Sequence, residues 1–362
     1  MDQQIRFCSS FDGARIAYAL SGRGAPLVMS ATWLGHLEQD WNSLAWLPWL
    51  EHFSRDYTLL RYDLRGTGLS DRSFTNASLD TWVRDLADVV DAAGVERFPL
   101  LGVCQGGPIA IEYAARHSER VSHLVLYGTY ARGMLLRTDL PPELAKARVL
   151  LEMSRLGWGR DDNAFMQVWG SLFQPGGGID HLRSWTALQR AAISATNAPS
   201  FFDATFRVDV REAARRLKCP TLVIHAAGDK VAPVEEGRSL GGLIPGARFV
   251  ELESENHMLL PEEPAWARLK EEVRGFLRAP GAQGEAEGIG QRLAALTERE
   301  RQVLEGIARG LDNAEIAAEL ALSQKTVRNH ITRVFDKIGV AHRYQAIVLA
   351  RDAGLGKAWT SR

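Results

Sequence analysis

The chain has 362 residues, 46% hydrophobic and 24% charged, which is long for one domain and ordinary for globular protein. A net charge of −1 hides an uneven distribution. From Ser323 onward eight basic residues (Lys325, Arg328, Arg333, Lys337, Arg343, Arg351, Lys357, Arg362) face two acidic ones (Asp336, Asp352), a net +6 that leaves −7 for the rest. Three scattered cysteines, Cys8, Cys104 and Cys219, exclude a disulfide framework and a structural zinc site. The opening Met1-Asp-Gln-Gln-Ile-Arg has no basic region ahead of an apolar run, and no stretch approaches the ~18 apolar residues of a membrane span. The sequence therefore reads as cytoplasmic and reduced, with no metal or cofactor expected.

In chain order, short β-type runs alternate with helical patterns. Strands are predicted at Arg15–Leu20, Pro26–Ser30, Tyr57–Tyr62, Pro99–Val103, Val121–Tyr127, Thr221–His225 and Arg248–Leu252, with helices at Ser78–Ala93 and Gly107–Arg116. This alternation predicts a mostly parallel sheet covered on both faces. From Ala131 to about Arg216 the rhythm breaks into helix-like segments rich in Met, Phe and Trp, which predicts an inserted helical cap. The Gly- and Ala-rich run at 279–291 cannot bury a core and is expected to be a flexible linker, dividing residues 1–278 from residues 292–362.

Within the first part, Gly102-x-Cys104-x-Gly106 stands between a strand and a helix, where a sharp turn needs small residues either side of an exposed side chain. Asp229 follows the strand ending near His225, and His257 follows the strand ending near Leu252. With Asp63-Leu-Arg-Gly-Thr-Gly-Leu-Ser70, these segments resemble the α/β-hydrolase fold, in which nucleophile, acid and histidine occur in that order. The resemblance implies Cys104 as nucleophile, His257 as base and Asp229 as its orienting acid. It also implies backbone N–H donors to an oxyanion at Thr32 and Gln105. Two departures stand out. Cys104 replaces the usual serine, as in dienelactone hydrolases and polyester synthases, and Ser30-Ala31 stands where many relatives have His-Gly. Two readings stay open: a Cys-His-Asp set that turns over an ester or thioester, or a ligand pocket that turns over nothing. Trp33, Trp41, Trp46 and Trp49 lie near the expected entrance, where aromatics more often build core; a mostly apolar pocket including Trp33, Cys104 and His257 is expected.

After the linker come four short helices. Thr297 and Glu300 form a capping box, and the first helix presents Val303, Leu304, Ile307 and Ala308 before Gly310. Asn313 is expected to cap the second helix, and Ser323 the third. On the third, Val327, Ile331, Val334 and Ile338 recur as a buried stripe, leaving Lys325, Thr326, Arg328, Asn329 and Arg333 on the other faces. A fourth helix, from Arg343 to about Ala353, offers Ala346, Ile347 and Ala350 as a spare stripe. Leu296-Thr-Glu-Arg-Glu-Arg-Gln-Val-Leu304, Gly310, Asn313, Glu315-Ile-Ala317, Leu320, Ser323, Thr326-Val327, His330, Lys337 and Gly339-Val340 resemble the LuxR-type helix-turn-helix. That resemblance implies duplex DNA as partner, read by Lys325, Thr326, Arg328, Asn329 and Arg333, a homodimer formed through the fourth helix, and structural roles for Glu298 and Glu315.

Overall fold

A computed structural model describes residues 3–73, 77–139, 141–159, 164–278, 293–340, 343–352 and 355. The chain falls into two compact units, Met1–Ala279 and Pro280–Arg362. The expected linker at 279–291 lies outside the described residues, as do Lys357 and Arg362 of the basic tail.

The first unit is built on an eight-stranded sheet in the order β1-β2-β4-β3-β5-β6-β7-β8. The strands are β1 (Gln3–Ser9), β2 (Arg15–Gly22), β3 (Ala25–Ser30), β4 (Tyr57–Tyr62), β5 (Phe98–Val103), β6 (Val121–Tyr127), β7 (Thr221–Ala226) and β8 (Arg248–Leu252). The β1–β2 and β2–β4 pairs are antiparallel and the remaining pairs parallel. Strand β1, the edge strand that carries Cys8, pairs with β2 along its whole length and has no fully buried side chain. Its apolar Ile5 and Phe7 alternate with Gln4 and Arg6, but a strand at the edge of the sheet buries little of either face.

Helices α1 (Leu47–Asp56), α2 (Leu79–Ala92), α3 (Gly106–Arg116), α9 (Val234–Leu243) and α10 (Pro264–Arg278) belong to the sheet layers. Ser78 caps α2 by accepting from the Thr81 N–H, satisfying a donor that the first turn leaves without a helical partner. The cap holds α4 (Pro141–Gly157), α5 (Ala164–Ser171), α6 (Gly178–Ala192), α7 (Ala198–Phe206) and α8 (Arg211–Arg215). The central strand β5 is apolar on both faces, with Leu100 and Leu101 both buried and level with Leu124 and Val125 of β6, as a covered parallel sheet requires.

The second unit packs α11 (Glu298–Arg309), α12 (Asn313–Glu319), α13 (Gln324–Ile338) and α14 (Arg343–Asp352) around Val303, Leu304, Ile307, Ile316, Val327, Val334 and Ile338. The Thr297–Glu300 capping box is present, and α11 ends at Gly310 in a left-handed conformation with φ 89°. The second cap differs from expectation: Asp312, not Asn313, caps α12, accepting from the Ala314 and Glu315 N–H groups at 2.8 Å each. The Glu315 carboxylate accepts the Asp312 N–H in return at 2.7 Å. A carboxylate at this end also opposes the positive pole of the helix, which an amide does not. The expected spare stripe on α14 is corrected as well. Ala346 and Ala350 are fully buried in the unit's own core, so they are unavailable to a second subunit. Among the described residues no helix is long and apolar enough to cross a membrane.

Candidate functional site

Cys104 occupies the tight turn between β5 and α3. Its backbone lies in the left-handed region, φ 50°, a strained conformation for a residue with a side chain. The turn is pinned from three sides: the Cys104 N–H donates to the Tyr127 carbonyl at 3.0 Å, and its own carbonyl accepts from the Gly107 N–H at 3.0 Å and the Thr129 hydroxyl at 2.5 Å. Gly106 is required by proximity, since a Cβ there would come 2.8 Å from the Ser30 carbonyl oxygen. The close packing sets the Ser30–Thr32 loop beside the start of α3. Thr32 and Gln105 are buried, and the backbone N–H of neither has a hydrogen-bond partner among the described residues. Both therefore have a donor available for an oxyanion.

Asp229 and His257 come from the loops after β7 and β8. Asp229 Oδ2 lies 2.6 Å from His257 Nδ1, while Oδ1 accepts the Val231 and Ala232 N–H groups at 2.7 and 2.9 Å. Both side chains are fully buried. Burial alone favours the uncharged form of each. It is overcome at Asp229 by the His257 charge together with hydrogen bonds from His225 and His257, which hold the carboxyl well below the usual range. At His257 burial pulls downward, but the Asp229 charge and then Cys104 raise it to about 10. His257 Nε2 makes no well-formed hydrogen bond to any described residue, yet the Cys104 side chain is close enough to act on the ring. Gly128, at φ 55°, leaves room for the imidazole: a Cβ there would sit 3.0 Å from its Cε1.

The structure thus brings Cys104, His257 and Asp229 together. Sequence reasoning missed His225, whose Nε2 lies 3.5 Å from Asp229 Oδ2 and 2.9 Å from the Ala232 carbonyl. It also missed Thr129, which braces the elbow, and Phe173, whose ring meets His257 edge-on at 5.2 Å. A histidine four residues before the acid offered a signal; Phe173, far off in the cap, offered none. Of the four tryptophans expected near the entrance, Trp33 meets cap rings, with Trp158 at 5.5 Å and Phe202 at 4.8 Å. Trp49 instead packs on Tyr127 and Trp266, Trp46 packs on Trp49, and Trp41 bonds Gln3 at 2.8 Å. Trp33, Cys104 and His257 are all buried. An 840 Å³ cavity lies elsewhere, between Ser78, Asn197 and Asp209.

The Asp63 segment is a brace. Burial pushes the Asp63 carboxyl up to about 7 although it accepts the Leu69 N–H at 2.8 Å and the Leu37 N–H at 3.0 Å. Arg65 grips Asp85 through two hydrogen bonds, from Nε at 2.8 Å and Nη2 at 2.5 Å.

In the helical unit, Ser323 caps α13 by accepting the Thr326 N–H at 3.1 Å. Lys325, Arg328, Asn329 and Arg333 are exposed, and no ion pair engages these three cations among the described residues. Thr326 is half-buried and its hydroxyl lies 2.8 Å from the Ser323 hydroxyl, so it serves the cap. Lys337 is likewise engaged, 2.7 Å from Glu300 Oε2. The Lys337 hydrogen bond, followed by that from the Thr297 N–H, holds Glu300 down to about 2.

A mostly parallel sheet with a tight strand-to-helix turn at Cys104, an acid and a histidine following in order after later strands, and a helical cap define an α/β-hydrolase-fold protein, here carrying a helix-turn-helix unit. Residues 25–164 match the model of the alpha/beta hydrolase fold, and residues 294–350 that of the bacterial regulatory proteins, luxR family. A putative carbamate hydrolase RutD from Azorhizobium caulinodans is 30% identical over 243 residues, covering 66% of this chain and 87% of that protein. Pyrrolizixenacetamide deacetylase from Xenorhabdus hominickii is 27% identical over 255 residues, covering 69% of this chain and 91% of the relative. Among solved structures, an esterase from Rhodococcus sp. is 26% identical with a TM-score of 0.61, covering 76% of this chain and 99% of its own. The enol-lactonase from Burkholderia xenovorans, at 22% identity and TM-score 0.62, covers 76% of this chain and 100% of its own and shares the fold. The chain belongs to the α/β-hydrolase fold family and carries a luxR-family regulatory domain.

Proposed function

We propose that the protein is a cytoplasmic, DNA-binding transcription regulator whose hydrolase-fold domain binds a small, mostly apolar ligand of the ester, lactone or thioester type. One observation carries this reading. A recognition helix with exposed Lys325, Arg328 and Arg333, free of ion pairs among the described residues, shares a chain with a buried Cys104–His257–Asp229 set beneath an aromatic cap. The helix enters the major groove, with Lys325, Arg328, Asn329 and Arg333 reaching phosphates and base edges. The chain acts as a homodimer on two half-sites about one helical turn apart. Ligand biases regulation by binding two arrangements of the chain with different free energies.

A second reading, turnover, is favoured by the 2.6 Å Asp229–His257 contact beside Cys104. In it the Cys104 sulfur attacks the acyl carbon and the oxyanion rests on the Thr32 and Gln105 N–H groups. His257 hands its proton to the leaving alcohol or thiol, and water then releases the acid and restores the thiol. The experiment separating the two exposes the full chain to a panel of esters, lactones and thioesters while following DNA affinity and product release. Shifted DNA affinity without product supports the sensor; product with unchanged DNA affinity overturns it in favour of the enzyme.

A further inference from the structure

Sulfur at position 104 differs from the usual serine oxygen in one respect above all: it can be oxidised. Cys104 keeps 6% of its surface exposed, whereas His257 beside it keeps none. The cap closes over the rest of the site. The Phe173 ring meets the imidazole at 5.2 Å, and the Met258 N–H donates to the Phe173 carbonyl at 3.0 Å. On the other side of His257 the Gly176 N–H donates to Asn256 Oδ1 at 3.0 Å. An ester needs this cover to part before it can reach the sulfur. A reagent close to the size of water can use the opening that is already there.

The sulfur also has positive surroundings. Asp229 holds the His257 ring charged, and the fully buried Nε2 has no hydrogen-bond partner among the described residues, with Cys104 close enough to act on the ring. Cys104 stands directly ahead of α3, whose N-terminal pole is positive. Positive charge beside a sulfur stabilises its anion, the form that attacks an oxidant. The other two thiols are placed in the opposite sense. Burial, reinforced at Cys8 by Asp88, pushes Cys8 and Cys219 each up to about 11. Neither can reach Cys104. Cys8 lies on β1, four strand spacings from β5, and Cys219 precedes β7 at the opposite end of the parallel strands from Cys104. Each separation is roughly 20 Å, against the ~7 Å within which a disulfide closes.

We propose that Cys104 is a hydroperoxide-reactive site, its sulfur reducing hydrogen peroxide and remaining as a sulfenic acid. The sulfur attacks one peroxide oxygen and the O–O bond breaks. Sulfur loses two electrons, and the departing oxygen takes them and leaves as hydroxide. The proton that the thiol gave up to His257 turns that hydroxide into water, so thiol and peroxide become sulfenic acid and water. The Thr32 and Gln105 N–H groups, without partners among the described residues, are the donors available to the oxygen left on sulfur. With no second thiol of the chain in reach, the sulfenic acid persists until an external thiol reduces it. This chemistry needs neither ester binding nor ester turnover; only its link to gene control rests on the regulator reading.

The test exposes the full chain to hydrogen peroxide, either folded or unfolded in urea, removes the oxidant with catalase and traps sulfenic acid with dimedone in urea. Mass mapping reads the adduct at each cysteine. Burial by itself would slow every thiol in the folded chain, and Cys8 and Cys219 should behave that way. Cys104 should instead be oxidised about tenfold faster folded than unfolded, because only the fold supplies its charge partner. His257→Gln should remove that advantage, and Cys104→Ser should remove the folded-chain adduct. If His257→Gln folds poorly, the comparison of folded with unfolded parent still decides. The proposal is overturned if Cys104 stays unmodified in the folded chain, if it reacts no faster there than in urea, if Cys8 or Cys219 reacts first, or if a folded His257→Gln chain is oxidised like the parent. Ester and thioester turnover by the unoxidised chain judges only the enzyme reading, and DNA affinity of the oxidised chain only the regulator reading.

Discussion

The two working regions of this chain treat charge in opposite ways. Around Asp229 the carboxylate is answered from inside the fold, by His257, His225 and two backbone N–H groups, with no solvent exposure of the side chain. On α13 the cations Lys325, Arg328 and Arg333 stand exposed with no ion pair among the described residues. A buried charge must find its partners during folding, because leaving it unpaired costs several kcal/mol. A cation kept for a polyanion does better with no internal partner, since one would have to be displaced. One region is thus already satisfied and tuned for chemistry at a point; the other holds its electrostatics in reserve for a surface.

This contrast breaks first, and hardest, at Asp229. Asp229→Ala leaves two orphaned backbone N–H groups and an unpaired buried imidazole, and should destabilise the hydrolase-fold unit by about 3–5 kcal/mol in urea unfolding. A loss below about 1 kcal/mol would mean that the dyad is far better solvated than its burial indicates. On α13 the expectation inverts. Lys325→Ala combined with Arg328→Ala should leave stability within about 0.5 kcal/mol. It should nevertheless flatten the log–log salt dependence of DNA binding by about 2, close to one unit for each phosphate left unneutralised. An unchanged slope would remove both cations from the interface.

A smaller effect probes the capping of α12. Asp312→Ala should cost about 1 kcal/mol in thermal unfolding of the helical unit, whereas Asn313→Ala removes no cap, loses only the hydrogen bond its Oδ1 accepts from Arg343 Nη1 at 3.0 Å, and should cost less. Equal losses would contradict the assignment of the cap to Asp312.

The mildest expected effects are in pH. His257 is raised from 6.5 to about 10, so its contribution is complete below 6.5 and fades as pH climbs through about 10. Asp229 is lowered, so its contribution is present above 3.8 and fades on acidification. Glu300 is lowered from 4.5 to about 2, giving a contribution present above 4.5 and lost as pH falls through about 2. Alkaline titration through the His257 range should therefore loosen the hydrolase-fold unit in preference to the helical unit. Circular dichroism resolving two transitions checks this, and a helical unit that melts first in alkali would refute the contrast.

The parts legible in the sequence are those governed by neighbours along the chain. The elbow glycines, the capping box at Thr297 and Glu300, the α11 stop at Gly310 and the stripe on α13 each depend on residues within a turn or two. The order Cys104, Asp229, His257 is readable because loops after successive parallel strands open at the same sheet edge. What the sequence conceals has a common cause in tertiary partners. Ala346 and Ala350 look spare on a helical wheel, and only packing on the rest of the unit reveals that they are its core. Trp33 and Trp49 have the same chemistry, yet one meets the cap and the other Tyr127 and Trp266. Asp312 and Asn313 are adjacent candidates for one role, and backbone geometry selects the first. Nothing local ties Phe173 and Gly176 to the loop carrying His257.

The left-handed backbone at Cys104 carries a consequence for how this position can vary. Glycine at 104 would relax a conformation that costs a residue with a Cβ on the order of 1 kcal/mol or more. Stability alone therefore pushes this site toward having no side chain at all. Serine and alanine would share the strain of cysteine, so exchanging them is close to neutral for the fold and isolates what the sulfur atom does. Position 104 thus separates two questions that most core positions confound: whether a side chain is there, which the backbone registers, and which side chain it is, which only a ligand registers.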